Sequence, residues 1–209
     1  MDALIGLINS PWAPQVHHSI DLRDRKLEGV IFAEWLASCL RERRDKVAQV
    51  FINYRREGGA YAAALLDMLL SDRFGEEQVF RAARSIAPGS DYSDTILEAV
   101  AGCGVLLVIV DAGWLNKFSS ENRDYSPVRD WVAREIEEAF KHGRMVVPVL
   151  LSGAERLNEE SLPESLARVA RLQYLRFDYR NIRQDINFIS EQLSRACPRI
   201  REVRRGGAC

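Results

Sequence analysis

The sequence has few of the residues that build disulfide frameworks and metal sites. Its four cysteines and three histidines are spread over 209 residues, without a CxxC pair and without histidines at metal-ligand spacing. We therefore expect no disulfide network and no bound metal, and this cysteine usage fits a reducing cytoplasm best.

The sequence also lacks an excess of either charge and any long hydrophobic run. It has 29 Lys and Arg against 30 Asp and Glu, a formal net charge of -1, whereas nucleic acids and anionic membranes attract basic proteins. The apolar run at residues 105–110 is far too short to cross a bilayer, and the N-terminus has Asp2 instead of the basic start of a secretory signal. We expect a cytoplasmic protein that binds neither nucleic acid nor membrane.

Several familiar catalytic and nucleotide-binding motifs are missing as well. There is no Walker loop, no GxGxxG turn after the first predicted strand and no GxSxG nucleophile elbow. These absences exclude a P-loop or Rossmann nucleotide grip and the common serine hydrolases.

What the sequence does contain is an alternation of short apolar runs with helical periodicity. The predicted strands are residues 47–54, 78–81, 104–110, 145–151 and 172–177. The predicted helices are residues 61–74, a helix capped by Asp91 or Ser93 that runs to about 101, a helix that opens at Ser126 and closes at Gly143, and residues 180–197. This order predicts an α/β fold with a parallel sheet covered on both faces, and ligands bind such sheets at the carboxyl ends of the strands.

The chain divides into three predicted parts. Residues 1–46 form an N-terminal extension with a helix at 21–45, residues 47–197 form the α/β domain, and residues 198–209 form a flexible basic tail.

Two groups of residues are candidates for chemistry. The first, Asn53-Tyr54-Arg55-Arg56, directly follows the first strand, where adjacent guanidinium groups match a diphosphate but also fit a solvated turn. The second is Trp131 and Glu135, which share one face of a helix, with Glu135 expected beside the apolar stripe. A carboxylate next to an indole suits a cationic transition state, although the spacing alone favours a solvated glutamate.

Five short segments, taken together and in order, carry a more specific signal: residues 50–56 (VFINYRR), 85–89 (SIAPG), 113–115 (GWL), 130–136 (DWVAREI) and 147–150 (VPVL). In this order the set resembles TIR (Toll/interleukin-1 receptor) domains. The similarity is closest to prokaryotic TIR domains and to the NAD-cleaving TIR domain of the axon-degeneration protein SARM. It extends over about residues 47–197. Relatives often carry an acidic residue after the second strand, where this chain has Arg81-Ala82-Ala83-Arg84.

The resemblance implies a flavodoxin-like fold of about five parallel strands flanked by helices. It also implies NAD+ glycohydrolysis, sometimes with cyclisation of the ADP-ribose, with NAD+ as substrate and no further cofactor. Glu135 matches the catalytic glutamate, and the substrate-binding candidates are Asn53, Tyr54, Arg55, Arg56 and Trp131. Such domains self-associate, here through the loop at 82–90, in cell death or anti-phage defence.

Two alternatives remain open at this point. One is a non-catalytic TIR module that signals by TIR–TIR contact, and the other is an enzyme of the nucleoside deoxyribosyltransferase type.

Overall fold

A computed structural model describes residues 48–118 and 130–203 of the chain. The predicted N-terminal helix, and the whole extension of which it is part, lie outside these residues. The helices and strands follow in this order: β1 Val50–Asn53, α1 Arg56–Phe74, β2 Val79–Phe80, α2 Ala82–Ser85, α3 Tyr92–Gly102, β3 Val105–Val110, α4 Trp131–Lys141, β4 Met145–Leu151, α5 Ala167–Ala170, β5 Leu175–Phe177 and α6 Ile182–Ala196.

The five strands form one parallel sheet in the order β2-β1-β3-β4-β5. β1 and β3 are buried along their whole length, as expected for central strands covered on both faces. This confirms the α/β prediction and its five parallel strands. In a sheet of this order the chain switches faces between β1 and β3, and the crevice at their carboxyl ends is the expected ligand site.

Each face of the sheet has its own hydrophobic core. On one face, Leu66 and Leu70 of α1 pack with Ile189 and Leu193 of α6. On the other face, helices α3 and α4 contribute Ile96, Val100, Ile136 and Ala139. Alternate residues of β1 and β3 enter the two cores, as the period of two in a strand requires. Helix α4 contacts β1, β3 and β4 on this second face.

Two predicted helix starts were wrong. The first helix was expected from residue 61, after a break at Gly58-Gly59, but α1 begins at Arg56 and includes both glycines. A Cβ on Gly58 would lie 2.4 Å from the Asp111 carboxyl group, and one on Gly59 would lie 3.3 Å from Tyr54 Cβ. Glycine weakens a helix by about 1 kcal/mol, but here it lets the first turn approach the end of β3.

The other wrong start concerns α4, which was expected to open at Ser126 but begins at Trp131. The carboxylate of Asp130 caps it by accepting the Ala133 N–H at 3.2 Å. Ser126 itself lies outside the described residues.

The segment that was expected to be a loop at 82–90 has two parts. Its first four residues form the short helix α2. At its far end, Pro88 and Gly89 form an exposed turn in which Gly89 has φ 86° and the Ser90 N–H donates to the Ala87 carbonyl at 3.2 Å. Proline followed by a residue with positive φ is typical of a type II turn.

Residues 198–203, the described part of the expected tail, contact the domain. Ile200 is buried, and the Gln78 side chain accepts the Arg201 N–H at 2.9 Å. Within the described residues, none of the helices combines the length and the hydropathy that a membrane span requires.

Candidate functional site

Glu135 lies on the buried face of α4, in the second turn of the helix. Only 7% of its surface is exposed, which corrects the expectation that it lies beside the buried face. Val132, Glu135, Ile136 and Ala139 follow the i, i+3, i+4, i+7 pattern of a core-facing stripe, and all four are buried. A carboxylate therefore occupies a position where the pattern calls for an apolar residue, which is typical of a functional site.

Asn53, the last residue of β1, holds Glu135 in place. Its Nδ2 donates to Glu135 Oε2 at 2.7 Å and to the Val132 carbonyl at 3.1 Å. Because a carbonyl oxygen only accepts, the contact with Val132 fixes the orientation of the amide, and Glu135 Oε2 is the acceptor of the other N–H. Asn53 is 0% exposed, and its Oδ1 has no hydrogen-bond partner. Asn53, which was predicted to contact the substrate, thus contacts Glu135, the candidate catalytic carboxylate.

The environment of Glu135 favours the neutral carboxylic acid. Burial raises the pKa of Glu135 to about 8, the Asn53 hydrogen bond opposes this rise, and the negative charge of Asp130 adds to it. Near neutral pH the group is therefore close to its titration point. A positive charge placed beside it would favour the ionised form.

Two aromatic side chains lie next to Glu135. Tyr92, at the start of α3, meets the Trp131 ring edge-on with the centroids 5.6 Å apart, and the Arg134 guanidinium lies 4.8 Å from the Trp131 ring centroid. Burial raises the pKa of Tyr92, and the charge of Glu135 adds to this effect. Tyr92 is still 44% exposed, so the pair offers aromatic surface to a ligand.

Tyr92 was not among the residues predicted from the sequence. A signal was present, because an aromatic residue directly follows the Asp91 cap at the edge of the sheet where ligands bind.

The two arginines that follow β1 have different surroundings. Arg56 is exposed at the first position of α1, and its charge acts on Tyr92. Arg55 is 8% exposed and forms a two-pronged ion pair with Asp130, with Nη1–Oδ1 at 3.0 Å and Nη2–Oδ2 at 2.6 Å. The structure thus leaves Arg56 exposed within electrostatic range of Tyr92 and places Arg55 beneath the surface.

Arg81 and Arg84 occupy the segment where relatives often carry an acidic residue, and they converge on one buried carboxylate of α1. Arg81 Nε lies 2.8 Å from Asp67 Oδ2, and Arg84 Nη2 lies 2.7 Å from Asp67 Oδ1. Arg84 also donates to the Val79 carbonyl at 2.7 Å, and Arg81 interacts electrostatically with the half-buried Tyr54. These contacts anchor α2 to α1 and leave the Pro88-Gly89 turn exposed.

Histidine, cysteine and carboxylate side chains do not gather into a metal site anywhere in residues 48–118 and 130–203. The chemistry that these residues offer is that of the buried Glu135 carboxylate, an aromatic pair and an exposed arginine at the switch point of the sheet.

Comparison with known proteins gives one family. A profile described as TIR domain matches residues 50–192. The curated protein NAD(+) hydrolase tir-1 from Caenorhabditis elegans is 23% identical over 164 residues, which is 76% of this chain but 16% of that protein. The chain thus spans about one sixth of the length of that relative.

A solved TIR-domain structure shows the same fold. The TIR domains of the activated Roq1 resistosome, which recognises the pathogen effector XopQ, superpose with a TM-score of 0.50 at 15% identity, covering 69% of this chain and 98% of that one. The TIR domain of the Toll-related receptor TRR-2 from Hydra magnipapillata has a TM-score of 0.46 at 15% identity, covering 70% and 98%.

Proposed function

Because this chain belongs to the TIR domain family, we propose that it cleaves NAD+ into nicotinamide and ADP-ribose or a cyclic ADP-ribose, with Glu135 as the catalytic carboxylate. The observation that carries the proposal is the burial of Glu135 next to exposed aromatic surface at the carboxyl edge of the sheet. The name of the C. elegans relative, an NAD(+) hydrolase, supports the same activity.

The reaction suits a site with one carboxylate. The bond between ribose C1′ and the pyridinium nitrogen breaks, its electron pair returns to the ring, and nicotinamide leaves as a neutral molecule without a general acid. The sugar that remains resembles an oxocarbenium ion, which an ionised Glu135 stabilises as a carboxylate does in glycoside cleavage. Water then adds at C1′ and loses a proton, which gives ADP-ribose.

The bound substrate also supplies the charge that ionises Glu135. The pyridinium ring of NAD+ is positive, so its arrival lowers the pKa of Glu135 from its raised value towards the working pH. The carboxylate thus forms when a substrate is present to use it.

The other candidate residues have complementary roles in this proposal. Trp131 and Tyr92 stack against the planar ring of the substrate, and the exposed Arg56 guanidinium binds the diphosphate. Tyr54 is half-buried at the same edge, where it packs against the core on the α1 side of the sheet. Asn53 orients Glu135 through the 2.7 Å hydrogen bond.

Nicotinamide release from NAD+ by the purified full-length chain tests the proposal. Release in step with loss of NAD+ is the expected result. A concentrated, self-associated protein that releases none would favour the alternative, a non-catalytic TIR module that works by homotypic contact. The exposed turn at Pro88-Gly89 gives that alternative a surface to use.

We further propose that the domain acts as a self-associating effector in cell death or antiviral immunity, and that assembly controls its turnover. Because α2 is anchored while the turn beyond it is exposed, a neighbouring subunit can reach this edge of the sheet without unfolding it. We expect turnover per molecule to rise with protein concentration or with a crowding agent, in parallel with the assembled fraction seen by sedimentation. A constant turnover per molecule across monomeric and assembled samples would contradict this prediction.

A further inference from the structure

The ion pair between Arg55 and Asp130 joins the end of β1 to the start of α4. Both terminal nitrogens of the guanidinium lie within 3.0 Å of a carboxylate oxygen, and both side chains are at least nine-tenths buried. Charge-assisted contacts with two prongs fix the orientation of both groups as well as their distance.

Asp130 has a second task in the same place. Its Oδ1, which accepts from Arg55 Nη1, also caps α4 by accepting the Ala133 N–H at 3.2 Å. Together with the hydrogen bond from Asn53 to the Val132 carbonyl, this ties the first turn of α4 to the end of β1 at two points. Glu135 lies one turn beyond Asp130 and Trp131, so its position depends on these ties.

The surroundings of Arg55 leave little of it for a ligand. Its guanidinium carbon lies 5.4 Å from the centroid of the Trp114 ring and 5.1 Å from that of Phe118. Its Nε is buried without a hydrogen-bond partner. Both terminal nitrogens already donate to Asp130, whereas the neighbouring Arg56 is exposed.

We infer that Arg55 and Asp130 are a positioning pair, which anchors the first turn of α4 and so holds Glu135 beside Tyr92 and Trp131, and that Arg55 acts through Asp130 and not through the diphosphate of the substrate. This inference rests on the proposed function for its catalytic consequence, but its structural part does not.

Because charged groups surround Glu135, the effect of the Arg55–Asp130 pair on the pKa of Glu135 can be measured. Asp130 on its own helix and Tyr92 on α3 interact electrostatically with Glu135, Asn53 donates to it from β1, and Arg56 acts on Tyr92. Replacing Asp130 with Asn preserves a good helix cap but removes a negative charge and leaves Arg55 positive and unpaired. Both changes favour the ionised form of Glu135.

The first experiment follows the Glu135 carboxyl signal by carbon-detected NMR of the full-length, ¹³C-glutamate-labelled chain. The Glu135→Gln variant identifies the signal by its absence. In Asp130→Asn we expect the pKa of Glu135 to fall by about one pH unit or more. Asp67→Asn is the matched control, since it also breaks a buried Asp–Arg contact, with Arg81 and Arg84, but on the side of α1. An unchanged pKa in Asp130→Asn, or an equal fall in Asp67→Asn, would overturn the inference.

The second experiment compares two substrates, NAD+ and nicotinamide riboside, which has the same scissile bond but no phosphate. A positioning role predicts that Arg55→Gln lowers kcat roughly tenfold or more on both substrates alike. Arg56→Gln, by contrast, should raise KM for NAD+ only. A loss in Arg55→Gln that is confined to NAD+ would assign Arg55 to the diphosphate and overturn the inference.

Arg55→Lys, which keeps the charge but loses the two-pronged geometry, takes the place of Arg55→Gln if that variant does not fold. If the parent protein releases no nicotinamide from either substrate, the proposed function fails, and the NMR experiment still decides whether the pair acts on Glu135.

Discussion

Replacing Glu135 with Gln should lower nicotinamide release by roughly 100-fold or more, with the fold unchanged. The substitution keeps the shape and leaves an amide oxygen to accept the Asn53 hydrogen bond, but no negative charge can form beside the ribosyl cation. The loss of one preorganised electrostatic contact in a water-poor site has effects of this size. The measurement is kcat for nicotinamide release at pH 8 under assembling conditions, with circular dichroism as the check on folding.

Glu137→Gln is the matched control for this experiment. Glu137 is on the same helix, two residues away, and is exposed. The turnover of Glu137→Gln should stay within a few-fold of the turnover of the parent. Equal rates in the parent and in Glu135→Gln would refute the assignment of Glu135.

The Glu135→Gln variant should also be more stable than the parent at alkaline pH. The pKa of Glu135 is about 8 in the folded protein against 4.5 for an ordinary glutamate, so the folded state retains a proton that the unfolded chain loses between those values. The free energy of unfolding of the parent therefore falls as pH rises through this window. Gln does not titrate, so the variant avoids about 3 kcal/mol of destabilisation at pH 7.

Thermal melting of parent and variant between pH 5 and pH 8.5 measures this effect. The difference in melting temperature should be small at pH 5 and should grow to roughly 6–12 °C at pH 7, since 1 kcal/mol shifts the melting temperature by roughly 2–4 °C in a chain of this size. A variant that melts below the parent at pH 8 would show that Glu135 is not held neutral by its surroundings. A difference in melting temperature that is the same at every pH would show the same.

The sequence was sufficient to predict the fold because local patterns determine most of it. The apolar runs at 104–110 and 145–151 become β3 and β4 with bounds shifted by at most one residue, and the order of elements leads to the parallel sheet. The wrong start of α1 arose from a contact between distant residues. Gly58 has no room for a Cβ because Asp111, more than fifty residues away, lies against it, and no local pattern records such a contact.

The site was predictable only in part, for the same reason. The resemblance to TIR domains indicated Glu135, but its burial depends on how α4 docks on β1. The pairing of Arg55 with Asp130 joins residues 75 positions apart, and adjacent arginines look alike in a sequence even when one is buried and the other exposed. Arg81 and Arg84 lie in the segment where this chain departs from its relatives, and both form ion pairs with Asp67 on another helix.

The pH dependence of nicotinamide release from NAD+ tests the central claim most directly, because it links activity to one buried carboxylate. We expect kcat/KM of the parent to rise with pH around a midpoint of about 8, which is the pKa of Glu135 in the free protein. The midpoint for kcat should be lower, because the positive ring of bound NAD+ favours the carboxylate. A profile that is flat from pH 5.5 to 9, one that falls as pH rises, or the absence of nicotinamide at every pH in the assembled protein would contradict the account.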